Sequence, residues 1–170
     1  MSQIKYLLIF IVLLIFSGCA AQSQNMFVSD CKILSKYPHS VSVKVYGGRE
    51  TNPLWTSQIS NSALCSAIKK SILENEVFSS VSLKNPDYSL EVAIEKITQP
   101  VIGLDIKMKM TAKWTLIKND NIIWSDSITS TYTAKLGEAF IAAERIQKAN
   151  EGVARNNIKN GLYKLSSLPL

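Results

Sequence analysis

The chain has 170 residues, with 19 Lys and Arg against 13 Asp and Glu, three cysteines, one histidine and a formal net charge of +6. That length suits one domain with a real core. The basic residues are scattered instead of blocked and no nucleic-acid motif occurs, so the sequence points away from a nucleic-acid partner. The slightly positive mean hydropathy comes from the first sixteen residues and does not mark a membrane-spanning protein.

Those first residues carry the strongest signal. Lys5 is followed by an unbroken apolar run of eleven residues, Tyr6 to Phe16. A spanning helix needs roughly 18 or more, so the run has the length of a signal-peptide core. It ends in Phe16-Ser17-Gly18-Cys19, small residues followed directly by a cysteine. This resembles the lipobox of bacterial lipoproteins, with Phe16 standing where Leu, Val or Ile is usual. The resemblance implies a signal peptide over 1–18, lipid transfer to the Cys19 thiol and cleavage before it, which leaves a net charge of +5 (6 − 1, for Lys5). The competing reading is an ordinary secretory signal cut after Ala20 or Ala21. Ala20 follows the cysteine where Asp would mark retention in enterobacterial-type lipoproteins, which implies the periplasmic face of the outer membrane.

Residues 19–30 read as a tether, with Met26-Phe27-Val28 docking on a single domain over 31–170. Cys31 and Cys65 are then an even pair in an oxidising compartment: either a disulfide, or a free thiol and a small buried hydrophobe. Val41, Val43 and Val45 alternate with polar residues as a first strand, ended by Gly47-Gly48. Apolar spacing of three and four predicts a helix over 59–75, capped by Ser57 or Ser60. A short strand follows around Val81 and Leu83. Tyr88, Leu90, Val92 and Ile94 form one face of a third strand. Eight even-numbered apolar residues from Ile102 and Leu104 through Met108, Met110 and Trp114 to Leu116 predict a long fourth strand with one dry face. Asn119-Asp120-Asn121 turns the chain into a fifth strand over 122–133. A helix over 137–165 closes the domain, with Phe140, Ala143, Ile146, Ala149, Val153 and Ile158 on its apolar face. The predicted fold is an α+β two-layer sandwich in the order β-α-β-β-β-β-α. Its sheet has four or five mainly antiparallel strands, with both helices on the dry face.

The lipobox, the helix ending in Val77-Phe78, the Asn85-Pro86-Asp87-Tyr88-Ser89-Leu90 approach to the third strand and the segment from Gly137-Glu138-Ala139-Phe140 to Ala149-Asn150-Glu151 resemble small Gram-negative lipoproteins. YajG-like lipoproteins and the auxiliary lipoproteins of ABC-type lipid transporters are similar. The TolB N-terminal domain and the lipopolysaccharide-assembly lipoprotein LptE share the element order. The resemblance implies a non-catalytic periplasmic adaptor or a subunit of an envelope machine.

Chemistry-bearing patterns are sparse. His39, in a Pro38-His39-Ser40 loop, is the one histidine and lacks a nucleophile motif around it. No cofactor and no metal site is implied, because histidines and cysteines do not cluster. Glu91 and Glu95 share a strand face four residues apart, about 13 Å, and read as partners of Lys107, Lys109 or Lys113. Two functions are carried forward. The first is an envelope binding protein, lipid-anchored at Cys19, that meets a protein partner through Trp55 and the lysines Lys107, Lys109 and Lys113. The second is a lipid or glycolipid carrier that holds acyl chains between helices and sheet. A filled core favours the first and an apolar cavity the second.

Overall fold

The computed structural model describes residues 20–51, 57–100 and 103–170. The signal segment with Cys19, the stretch 52–56 with Trp55, and Val101-Ile102 lie outside the described residues. The fold is the predicted α+β sandwich. After a short helix α1 (Ser23–Met26) come β1 (Tyr37–Tyr46), α2 (Asn61–Glu74), β2 (Phe78–Val81), β3 (Tyr88–Thr98), β4 (Ile106–Lys118), β5 (Asn121–Ala134) and α3 (Ala142–Leu165).

The five strands form one sheet in the order β2-β1-β3-β4-β5. The β3-β4-β5 meander is antiparallel, as alternation and the Asn119-Asp120 turn predict. The other half departs from an antiparallel plan: β1 lies inside the sheet, parallel to both neighbours. The helical crossover through α2 permits this, because parallel strands need a long connection. The first half of β1 pairs with β2, from Tyr37 opposite Phe78 to Val41 opposite Val81. Its second half pairs with β3, from Val41 opposite Tyr88 to Tyr46 opposite Ala93. Asp87 secures this change of partner: one of its carboxylate oxygens accepts from both the amide and the hydroxyl of Ser40, each at 2.7 Å.

Dry-face parity in β4 holds from Ile106 onwards: Met108, Met110, Ala112, Trp114 and Leu116 are fully buried, while Lys107, Lys109 and Lys113 are exposed. Burying each large side chain stabilises the fold by about 1.5–3 kcal/mol. Both helices cover this face. Trp114 marks the contact with α3: its indole N–H donates to Asn157 Oδ1 at 3.0 Å. The same side chain donates through Nδ2 to the Ile128 carbonyl of β5 at 2.8 Å. Gly161 lets the helix lie on that ring, since a Cβ there would meet the indole at 2.5 Å. Trp114 thus fills the space between β4 and this part of α3.

Four predicted boundaries move. The fourth strand begins at Ile106, so Leu104 lies in the preceding loop and is 72% exposed. The last helix begins at Ala142, not Gly137; Leu136–Glu138 form a 3-10 turn, and Phe140 is 86% exposed. The cause is Arg145, whose guanidinium binds the Ala139 and Phe140 carbonyls, both at 2.7 Å, and holds them out of the helix. The second strand ends at Val81, which leaves Leu83 exposed. His39 lies within β1 and not in a loop before it.

Candidate functional site

The feature with room for a partner is the sheet face that neither helix covers. Strand periodicity sends alternate side chains of every strand to it. From β4 come Lys107, Lys109, Thr111, Lys113 and Thr115; from β5, Ser125, Ser127, Thr129 and Thr131. Lys44 on β1 stands opposite Glu91 on β3. A bulge between Ile94 and Lys96 resets the register, so that Lys96 faces Thr111 and Thr98 faces Lys109. Lys96, Thr98, Lys109 and Thr111 line a shallow depression in this face. The hydroxyls bridge the strands: Thr111 to Thr129 at 2.8 Å, Thr115 to Ser125 at 3.1 Å and Ser42 to Ser89 at 3.1 Å.

Lys107, Lys109 and Lys113 therefore share one surface, as their parity predicts. The expected pairing with Glu91 and Glu95 is not formed. Glu91 accepts from the Tyr46 hydroxyl at 3.3 Å, and Glu95 from the Ser127 hydroxyl at 3.1 Å. The ion pairs among the described residues lie elsewhere, at Lys36–Glu76 and Lys164–Asp126. The register with β4 explains this for Glu91, since its partner on that strand is Thr115 and not one of the three lysines. Lysines and hydroxyls with few local counter-charges give the face a cationic character suited to an acidic partner surface.

A second feature extends the docking expected at Met26-Phe27-Val28 back to Ala20. The segment expected to be a tether is strapped to the domain. Ala21, Met26 and Val28 are buried. The buried Glu151 of α3 accepts from the Gln22 amide at 3.0 Å and from the Asn25 side chain at 3.1 Å. Ser71 of α2 and Asn75, which caps its C-terminal end, hold the Val28 amide and carbonyl, each at 2.8 Å. Gln147 donates to the Ala20 carbonyl at 3.1 Å. The signal available in the sequence was Asn150-Glu151, two polar residues on the apolar stripe of a helix.

That strap also decides the cysteines. The Cys31 amide bonds Asn75 Oδ1 at 2.8 Å, while Cys65 lies ten residues before Asn75 on α2, about 15 Å along the helix. A disulfide needs Cα atoms within about 7 Å. The Cys31–Cys65 pairing is not formed, and both thiols are free. Cys31 Sγ faces the Lys159 carbonyl and Cys65 Sγ the Val43 carbonyl, both at 3.4 Å. Burial pushes the Cys31 thiol up, against the pull of Lys159, which keeps it protonated.

Catalytic geometry does not assemble around His39. Its ring packs on Tyr88 with centroids 5.4 Å apart. Ser40 bonds Asp87 directly, without an imidazole between them. The Ser40 amide and hydroxyl hold the Asp87 carboxyl below its ordinary range, with smaller help from His39 and Lys118. Among the described residues no three His, Cys, Asp or Glu side chains cluster as metal ligands, and no helix is long and apolar enough to cross a membrane. A cleft of about 500 Å³ opens between Gly47-Arg49 and the β3 bulge at Ile94–Ile97. Gly47 shapes its edge with φ +78°, where a Cβ would meet the Ile94 carbonyl oxygen at 2.3 Å.

No protein-family model matches the chain, and no curated protein does. Solved structures share its fold. Protein XCC0632 from Xanthomonas campestris, of the DUF330 family, aligns with TM-score 0.61 and 10% identity over 81% of this chain and 89% of its own. The PelC dodecamer subunit from Paraburkholderia phytofirmans aligns with TM-score 0.51 and 16% identity, covering 82% and 94%. A minor lipoprotein from Acinetobacter baumannii aligns with TM-score 0.51 and 11% identity, covering 75% and 92%. At these identities the likeness is one of fold.

Proposed function

We propose that the chain is a lipid-anchored, non-catalytic lipoprotein that works as a binding or adaptor component of the bacterial cell envelope, held by Cys19 at the periplasmic side of the outer membrane. The observation that carries this reading is the uncovered sheet face: a broad, lysine- and hydroxyl-lined surface on the side of the sheet away from both helices. A flat polar face of this kind suits a protein partner with an acidic surface. The lipobox supports the anchor, and the fold shared with the Acinetobacter baumannii lipoprotein supports the class. The close packing of α3 on the sheet, with Gly161 against Trp114 and Gly152 against Tyr132, favours this reading over the carrier of acyl chains, which requires an interior cavity. Because PelC is a dodecamer, a second copy of this chain is one partner to test.

The test is site-specific photocrosslinking in intact envelopes, with the crosslinking residue at Lys109 or Lys113 on the open face, or at Glu74 on the solvent side of α2. Discrete protein adducts from the sheet positions, absent from Glu74, are expected. Adducts from Glu74 alone would contradict the assignment of the face.

A further inference from the structure

One end of the sheet presents apolar side chains to water on a scaffold built to hold them there. Phe140 is 86% exposed, Leu104 72%, Ile141 60% and Leu136 37%. They belong to two neighbouring loops, the one leading into β4 and the one leaving β5, and Asp105 joins the loops by accepting the Leu136 amide at 3.0 Å. The second loop is fixed at several points. Arg145, itself 5% exposed, clamps the Ala139 and Phe140 carbonyls. Glu138 accepts from the Tyr132 hydroxyl at 2.9 Å and the Lys135 amide at 2.8 Å, and its carbonyl takes the Lys148 ammonium. The buried arginine holds the Phe140 backbone outside the helix, with the phenyl side chain in water. Exposed apolar side chains gathered on two loops that hydrogen bonds join and brace mark a contact surface.

The position of the chain's N-terminal part says what that surface meets. Gln147, which holds the Ala20 carbonyl, is five residues into α3, about 8 Å along the axis from the helix start beside Ile141. Cys19 is one peptide bond before Ala20, a Cα step of about 3.8 Å. A lipid on that cysteine has no slack chain through which to leave this end of the domain, because Ala21 is buried and the Gln22 amide is bonded to Glu151 of α3. Charges nearby are mixed, Lys107, Lys135 and Lys148 with Asp105, Glu138 and Glu144, so the contact is led by apolar insertion and not by a cationic patch.

We propose that Leu104, Leu136, Phe140 and Ile141 form a bilayer-docking surface, seated in the interface of the same leaflet that holds the Cys19 lipid. The proposal rests on the lipid-anchor reading above. Docking fixes the orientation of the domain: the strands stand away from the membrane, and the open sheet face is presented sideways to a partner in the periplasm. Interfacial groups of this kind sit about 5–10 Å into the headgroup and acyl boundary. The opposite end of β4 is about 40 Å away along the strand and remains in water.

The test uses the full mature lipoprotein, extracted from membranes of a Gram-negative host and reconstituted into phosphatidylethanolamine–phosphatidylglycerol vesicles. Cys31 and Cys65 are replaced by Ser and Ala, and an environment-sensitive fluorophore is placed through Phe140→Cys, Leu104→Cys or, as a control at the far end, Leu83→Cys. The lipidated Cys19 sulfur cannot react. Intact mass first establishes the acyl chains. The expected result is several-fold stronger quenching by phosphatidylcholine spin-labelled near its headgroup at positions 104 and 140 than at 83. Equal, weak quenching at all three positions on an acylated protein overturns the docking surface while leaving the anchor standing. A shielded but unquenched label at 140 means a protein covers the patch, which also overturns it. A mature chain without acyl mass removes the anchor, and the docking proposal falls with it.

Discussion

Asn157→Ala is the substitution whose cost the structure specifies most closely. Asn157 is 1% exposed and joins three elements: it accepts the Trp114 indole N–H of β4 and donates to the Ile128 carbonyl of β5 from its place on α3. Alanine leaves both partners buried without a bond, at about 1–3 kcal/mol each. It returns at most roughly 0.7 kcal/mol of helix propensity. The net destabilisation is about 3 kcal/mol, and for a chain of this size the melting temperature falls by about 6–12 °C. Asn160→Ala is the internal control. It lies one turn further along the same helix, is exposed, and bonds Ser130 Oγ at 3.2 Å. A surface change of that kind stays within about 0.5 kcal/mol. Thermal melts of the two variants beside the wild type decide the matter. Equal melting temperatures for Asn157→Ala and Asn160→Ala would refute the packing of α3 on Trp114.

Met110→Asp should unfold or strongly destabilise the domain, because an unpaired buried carboxylate costs several kcal/mol, whereas Lys109→Asp should melt close to the wild type. Asp87 is held below its ordinary range in the folded protein, so its contribution is present above the unfolded value near pH 4 and is lost as pH falls through the folded value. Asp87→Asn should therefore flatten the acid side of a stability–pH profile below about pH 4, and an unchanged acid limb would count against the Ser40–Asp87 contact. Both Cys31 and Cys65 should be alkylated in denatured, non-reduced mature protein; a mass two hydrogens short with no alkylation would restore the disulfide.

Much of the fold was legible because alternation and helical spacing report burial directly. Met108 to Leu116 read correctly as a dry face, and Ser60 caps α2 by accepting the Ala63 amide at 3.1 Å. The errors lie where an apolar pattern runs past the end of its element. Leu104 continues the even parity of β4, and Phe140 continues the stripe of α3. Periodicity carries no information about the Asp105 and Arg145 contacts that end those elements. The insertion of β1 between β2 and β3 was illegible for another reason: strand order is a tertiary outcome, and the Ser40–Asp87 contact that fixes it joins residues 47 positions apart. On the open face, parity places Lys107, Lys109 and Lys113 together, but it does not give the strand register, in which Thr115 faces Glu91 and the bulge between Ile94 and Lys96 leaves Glu95 without a cross-strand partner. Glu151 was overlooked as the receptor of the N-terminal strap because its ligands lie more than 120 residues away.

An anchor at Cys19 underlies both the proposed function and the docking surface, and incorporation of labelled palmitate reads it out. Cells producing the wild-type chain or Cys19→Ser are fed the label, and the immunoprecipitated proteins are compared with the intact mass of the mature form. Label is expected in the wild type alone, with a mature chain that begins at Cys19 and carries the added mass of acyl chains. Equal label in both proteins, or an unmodified mature chain beginning after Ala20 or Ala21, would contradict it.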